Sequence, residues 1–212
     1  VAAAVDALRL DVVTTLPIGV DDDDIDDEMA LLVQSGARVV IVLAAADDAA
    51  RYLDAISRQD FLVLNDVIVN DAVRDPSARP VVSELPAALR ARITGVAPQI
   101  STRDSDFVAG PPFEPQATDC VNVIALAATE AASDMPTDIA EQIPSVSSGG
   151  SVCTSFATCA DELALNQPID YRGLTGITEL NRAGETSLAR FEAFEFDGEG
   201  DIEVLSTRTI GL

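Results

Sequence analysis

Short β-branched runs alternate with stretches of helical period through the first hundred residues. Ala2–Leu8 reads as the end of a helix and Leu10–Thr15 as a strand. Ile25, Met29, Leu32 and Val33 share one face of a helix that several Asp can cap and that Gly36 ends. Val39–Leu43 is an unbroken apolar run, expected to be a strand buried on both faces. Asp47–Ile56 is predicted helical with Ala50, Leu53 and Ile56 inward. Phe61–Leu64 and Ile93–Ala97 are expected strands, with short helices at Asp71–Val73 and Leu85–Leu89 between them. Such a βαβαβ series with short links predicts a parallel, right-handed α/β layer.

The pattern changes after residue 100. Ser101–Gln116 is polar and Pro-rich, and is expected to be a connector. Thr118–Ala132 is a helix apolar on nearly every side, carrying Val121, Val123, Ile124, Leu126 and Ala127, so it must be covered on several sides. Helices follow at Thr137–Ile143 and Ala160–Leu165, around a Ser- and Gly-rich turn at Ser145–Ser155. Strands return at Gly176–Leu180, Leu188–Phe196 and Ile202–Thr207, joined by turns at Asn181–Glu185 and Asp197–Gly200. There is no internal repeat.

Composition narrows the function classes. With 212 residues, 48% of them hydrophobic, the chain can fill one good core or two small ones. No apolar run reaches the roughly 18 residues of a membrane-spanning helix. Val1 opens directly into an apolar stretch without a basic leader region, so the chain is expected to be mature, trimmed or cytoplasmic from the start. The net charge of −23 disfavours nucleic acid and anionic membranes as partners. All 13 basic residues are Arg, and His is absent; codon bias is the favoured reading of the missing Lys.

Few motifs carry chemistry. There is no His for a Ser or Cys triad, no Lys for a Ser–Lys pair, no Gly-x-Ser-x-Gly elbow and no Gly-x-Gly-x-x-Gly. Gly149-Gly150 lacks the Lys and the preceding strand of a phosphate loop. Carboxylate pairs could do acid–base work, but among 36 acids some pairs lie close by chance. No enzyme activity, cofactor or metal is therefore expected. The acidic run Asp21–Asp24, with Asp26, Asp27 and Glu28, could suggest calcium. Its acids are contiguous and no turn Gly is present, so a solvated helix N-terminus is favoured. Cys153 and Cys159 can close a local disulfide, the preferred reading over a metal pair or free thiols, since zinc would want two more soft ligands. Cys120 is expected to be a small buried apolar residue.

Three segments carry a resemblance. The most specific runs from Gly149-Gly150 through Cys153-Thr-Ser-Phe-Ala-Thr-Cys159 and Ile169-Asp-Tyr-Arg-Gly-Leu-Thr-Gly176 to Ala183-Gly-Glu and Ala189-Arg-Phe-Glu-Ala-Phe-Glu-Phe196. With Ser35–Leu43 and Phe113–Ala132, it resembles the type I periplasmic binding proteins for branched-chain amino acids and related ligands. The resemblance covers most of the chain, but only the C-terminal half of such a protein. It implies a periplasmic-binding-protein-like α/β fold, with residues 1–103 and 188–212 as the second, parallel-sheet lobe and 104–187 as the returning part of an incomplete first lobe. It further implies an extracytoplasmic, periplasmic or secreted component of an ABC-type importer that closes on an amino acid or similar small polar solute and delivers it to a permease. The family places an acid for the ligand ammonium just after a strand. With Phe61–Leu64 as that strand, the position falls on Asn65 and Asp66; a turn cap is the plain alternative for Asp66. Ala46 stands in Ala44-Ala-Ala46, where the family often carries aromatics, and this departure weakens the case for a conventional amino-acid ligand. A companion polypeptide or a second copy is expected to supply the missing lobe and cover Thr118–Ala132. Two rival classes are a structural or interaction module that reuses the fold without a ligand, and a flavodoxin-like enzyme or regulator, which explains neither the cysteine segment nor the C-terminal strands.

Overall fold

In the computed structural model the described residues are 9–19, 25–61, 63–99, 113–176 and 179–211. Ala2–Leu8, Asp21–Asp24 and most of the Ser101–Gln116 connector lie outside them. The chain divides into two compact units, one of Val1–Ala97 with Ala193–Ser206 and one of Pro98–Glu192 with Thr207–Leu212.

In the first unit helix α1 (Asp26–Gln34) leads into β1 (Val39–Val42), α2 (Ala46–Ser57), β2 (Asp66–Val69), a 3-10 turn (Asp71–Arg74), α3 (Arg79–Glu84), α4 (Ala87–Arg90) and β3 (Ile93–Pro98). β1, β2 and β3 pair in parallel, with Val39 opposite Asp66 and Val67 opposite Ile93. The sheet continues through β6 (Leu188–Phe196) and β7 (Ile202–Gly211), in the order β1-β2-β3-β6-β7. Ala49, Leu53 and Ile56 of α2 close over Val67, Val69, Ile93 and Phe194 to make an apolar core. Gly95 is required there: a Cβ at this position would lie 1.9 Å from a ring carbon of Phe194. Arg90 donates to the Ser83 and Gly198 carbonyls, at 2.9 and 2.7 Å, and so ties the β6–β7 turn to α4.

Several expectations are corrected here. Leu10–Thr15 forms no strand; Leu10, Val12 and Val13 are exposed, and Leu16 and Ile18 pack on the core instead. β1 is not buried on both faces. Val40 and Val42 point inward while Val39 and Ile41 are exposed, because β1 is an edge strand with one side covered by helices. The strand expected at Phe61–Leu64 is displaced to Asp66–Val69, where three β-branched residues alternate cleanly into the core. The predicted helix Leu85–Leu89 is split by Leu85-Pro86, since Pro86 cannot continue α3.

The second unit is built on α5 (Glu114–Ala131), α6 (Pro136–Val146), β4 (Ser151–Cys153), α7 (Phe156–Ala164) and β5 (Ile169–Tyr171). β4 and β5 form a separate parallel pair that the periodicity did not reveal. Ser155 caps α7 by accepting from the Thr158 amide. Pro115 and Pro136 sit in first helical turns, where their missing N–H is harmless. The expected strand Gly176–Leu180 is reduced to one bridge between Leu180 and Thr186, residues 177–178 lying outside the described set. α5 buries Asp119, Val123, Leu126 and Ala127 along one stripe. Opposite them Phe113, Val121 (65% exposed) and Ile124 face outward. Cys120, expected to be buried, lies exposed on this outer face as a free thiol.

Candidate ligand-binding site

In an open parallel sheet the carboxyl ends of the strands converge on one edge, where loops and helix N-termini offer polar groups to a ligand. In the first unit this edge carries Ala44–Asp47 after β1 and Asn70-Asp71 after β2. Asn70 clamps the two loops together: its Nδ2 donates to the Ala44 carbonyl at 3.0 Å, and its Oδ1 accepts from the Ala44 amide at 3.5 Å. Asp71 opens the 3-10 turn, half-buried, and its carboxylate has no ion-pair partner among the described residues. Asp47 and Asp48 occupy the first turn of α2. Asp47 accepts from Ser77 Oγ at 3.2 Å, and Asp48 pairs with Arg51 at 3.1 Å. Asp47, with Asp54 and Glu84, borders an open groove of about 500 Å³ between α2 and α3.

Ala46 lies on this edge as the first residue of α2. Asn65 and Asp66 do not. The strand starts at Asp66 instead of ending before it, which places both residues at the amino end of the sheet. The amides of Asn65 and Asp66 donate to the Arg38 carbonyl, at 2.7 and 3.3 Å. Ala46 and Asp66 thus flank opposite ends of the β1–β2 ladder and are not brought together. The acid that follows a strand is Asp71. The signal that finds it is the density of β-branched residues in Val67-Ile68-Val69, compared with the Leu-rich run before them.

The second unit holds a different polar constellation. Asp119, 3% exposed, accepts from Tyr171 Oη at 2.9 Å, from the Leu174 and Thr175 amides at 2.8 Å each, and from Thr175 Oγ1 at 2.6 Å. Tyr171 Oη in turn accepts from Asn122 at 2.8 Å. Gly173 is needed beside this carboxylate, because a Cβ there would fall 1.8 Å from Asp119 Oδ1. One buried side chain therefore gathers the whole 171–175 loop. Nothing in the sequence marks Asp119 out from the other acids. Cys153 and Cys159 form a disulfide, S–S 2.03 Å, that fastens β4 to α7. At the β6–β7 turn, Asp197 accepts from the amides of Glu199 and Asp201, at 2.9 and 2.8 Å. Those bonds, the Asp201 amide foremost and then Glu199, hold the Asp197 carboxyl below its ordinary 3.8.

No family model and no curated sequence matches the chain. Solved structures do. The leucine-binding protein LivK of Thermotoga maritima superposes with a TM-score of 0.65 at 13% identity, over 92% of this chain and 51% of that one. The branched-chain amino acid transporter substrate-binding protein LivJ of Streptococcus pneumoniae, in complex with isoleucine, gives 0.57 at 11% identity with the same coverage. The chain spans about half the length of these neighbours. Among the described residues no helix is long and apolar enough to cross a membrane. The chain has a mixed α/β, periplasmic-binding-protein-like fold, with a sheet in which parallel pairing dominates.

Proposed function

We propose that this chain is the solute-binding half of an extracytoplasmic receptor that captures an amino acid or a similar small polar solute for an ABC-type importer. The observation that carries this reading is the edge formed by Ala44–Asp47 and Asn70-Asp71. A clamped pair of loops at the carboxyl ends of parallel strands presents one half-buried carboxylate with no ion-pair partner among the described residues. A carboxylate in that position suits the ammonium of an amino acid once water is excluded. The likeness to LivK and LivJ supports it through the fold. Asp71 takes the role first expected of Asp66. The small Ala44-Ala-Ala46 stretch leaves room beside it without an aromatic wall.

The outer stripe of α5 and the exposed side of β1 belong to the same proposal. Each large apolar side chain buried is worth about 1.5–3 kcal/mol, so a companion polypeptide or a second copy is expected to cover them. Light scattering on the purified chain tests this; a stable, well-folded monomer sinks it.

A second reading is favoured by the same apolar surfaces: an interaction module that keeps the fold without a ligand. Thermal melts with single L-amino acids and small carboxylates separate the two. Binding to the native state alone raises the midpoint by mass action. At a hundred times the dissociation constant this amounts to about 2.7 kcal/mol. Asp71→Asn removes the response and Asp66→Asn leaves it. A chain of verified length that responds to no solute favours the interaction module.

A further inference from the structure

Helices cover the sheet of the first unit on one face. α1, α2, α3 and the 3-10 turn all send their buried residues into a single core, on the face of Val67, Ile93 and Phe194. The alternate residues point the other way. Val39 and Ile41 of β1 are 46% and 47% exposed, and Val96 of β3 is 44% exposed. Ile68 of β2 lies half-buried, in one row with Ile41 and Thr94. Parallel strands are ordinarily covered on both faces, and contiguous exposed apolar surface marks an interaction site.

The size and charge of this face decide what fits it. Five strands about 4.8 Å apart span about 19 Å, and four residues of strand run about 13 Å. The footprint is about 250 Å², far below the roughly 800 Å² that each partner contributes to a stable interface. A helix with its side chains is about 10 Å across, so two helices side by side match the width. Acids border the patch. Asp66 opens β2 opposite Val39, and Glu195, between the buried Phe194 and Phe196, points to the same face as Val96. The Arg92 guanidinium is turned to the Leu64 carbonyl, at 2.6 Å. We propose that two amphipathic helices of a companion polypeptide cover this face. Their aliphatic side chains lie on Ile41, Ile68 and Val96, and Arg or Lys on their flanks meets Asp66 and Glu195. A second copy would bring a further net charge of −23 to a face too small to hold it. This assignment rests on the cover expected above for β1, and not on the Asp71 edge.

The probes are two synthetic Leu/Ala amphipathic helices of about 18 residues, long enough to cross the strands, one with Lys flanks and one with Glu flanks. Each is titrated into the intact chain by calorimetry. The Lys peptide is expected to bind at least tenfold more tightly than the Glu peptide. Ile41→Glu and, separately, Val96→Glu are expected to weaken it at least tenfold, with circular dichroism confirming that at least one variant is folded. Asp66→Asn combined with Glu195→Gln narrows the gap between the two peptides. Val121→Glu on α5 and Asp71→Asn leave binding unchanged, and any self-association of the chain survives Ile41→Glu. No binding of the Lys peptide, equal binding of both peptides, or undiminished binding in a folded Ile41→Glu or Val96→Glu variant each overturn the proposal. Self-association abolished by Ile41→Glu also overturns it: a second copy then holds the face, while the expectation that β1 is covered stands. A missing solute response in the melts above bears on the Asp71 edge alone.

Discussion

The two units solve the problem of cohesion differently. The first relies on apolar packing: Leu53, Val67, Val69, Ile93 and Phe194 are essentially inaccessible to water, and the Arg74 guanidinium lies 5.2 Å over the Phe194 ring. The second has a much smaller apolar cluster, from Val123 to Tyr171, and adds a covalent bridge and a buried carboxylate with four donors. Apolar packing is non-directional and tolerates small shifts, whereas a buried carboxylate is stabilising only while every partner is in place. The second unit should therefore be the more brittle to single polar changes, and the first to changes of volume.

The sharpest way to break this contrast is Asp119→Ala. It removes the acceptor shared by the Tyr171 hydroxyl, two amides and the Thr175 hydroxyl, and is expected to cost about 3 kcal/mol, since losing the acceptor of a buried donor costs about 1–3 kcal/mol. Hydrogen exchange should quicken through residues 119–175 and much less around β1–β3. Uniform loss of protection would mean that the units do not differ in the way argued. In the first unit the matching change is Gly95→Ala, where the new methyl meets the Phe194 ring and the expected loss is about 1–3 kcal/mol. Here Leu53 and Val67 should lose protection first. Next comes the disulfide. Reducing Cys153–Cys159, or replacing both cysteines with Ser, opens a loop with a sequence separation of 6; chain-entropy reasoning gives about 2 kcal/mol for so short a loop. A chemical-denaturation midpoint unchanged by reduction would remove the bridge from the account of the second unit.

How much of this was legible follows the same division. Apolar periodicity carried the first unit well: α1, α2 and β3 fall within a few residues of their expected bounds, because their burial is one-sided and repetitive. It failed where two apolar runs compete. Phe61–Leu64 is as hydrophobic as Val67–Val69, and only the β-branched bias separates them, so the expected strand falls one segment early and Asp66, instead of Asp71, stands in the position after it. In the second unit the helices were visible, and so was the Cys153–Cys159 bridge, since two cysteines separated by one short turn have few other options. Asp119 was not visible. Its significance comes from four donors brought in from residues 171–175, a long-range arrangement with no local period. Cys120 and Val121 were misjudged for the complementary reason: a helix apolar all round does not say which side its own chain will cover.

The smallest effect concerns the β6–β7 turn, where polar bonds act at the rim of the apolar unit. The Asp201 and Glu199 amides hold the Asp197 carboxyl below 3.8, with a smaller contribution from the charge of Arg90. A group whose pKa is lower in the folded state contributes fully above its unfolded-state value, near 3.9, and loses that contribution as pH falls through the folded one. Asp197 lies in a surface turn, so global stability should hardly move. What should move is the turn itself. As pH drops below about 4, the Glu199 and Asp201 amide resonances should shift with a common midpoint below 3.8, and Asp197→Asn should abolish that titration while leaving the core protected. Midpoints at or above 3.8 would show that the turn is held by Arg90 and its bond to the Gly198 carbonyl, and not by the Asp197 carboxylate.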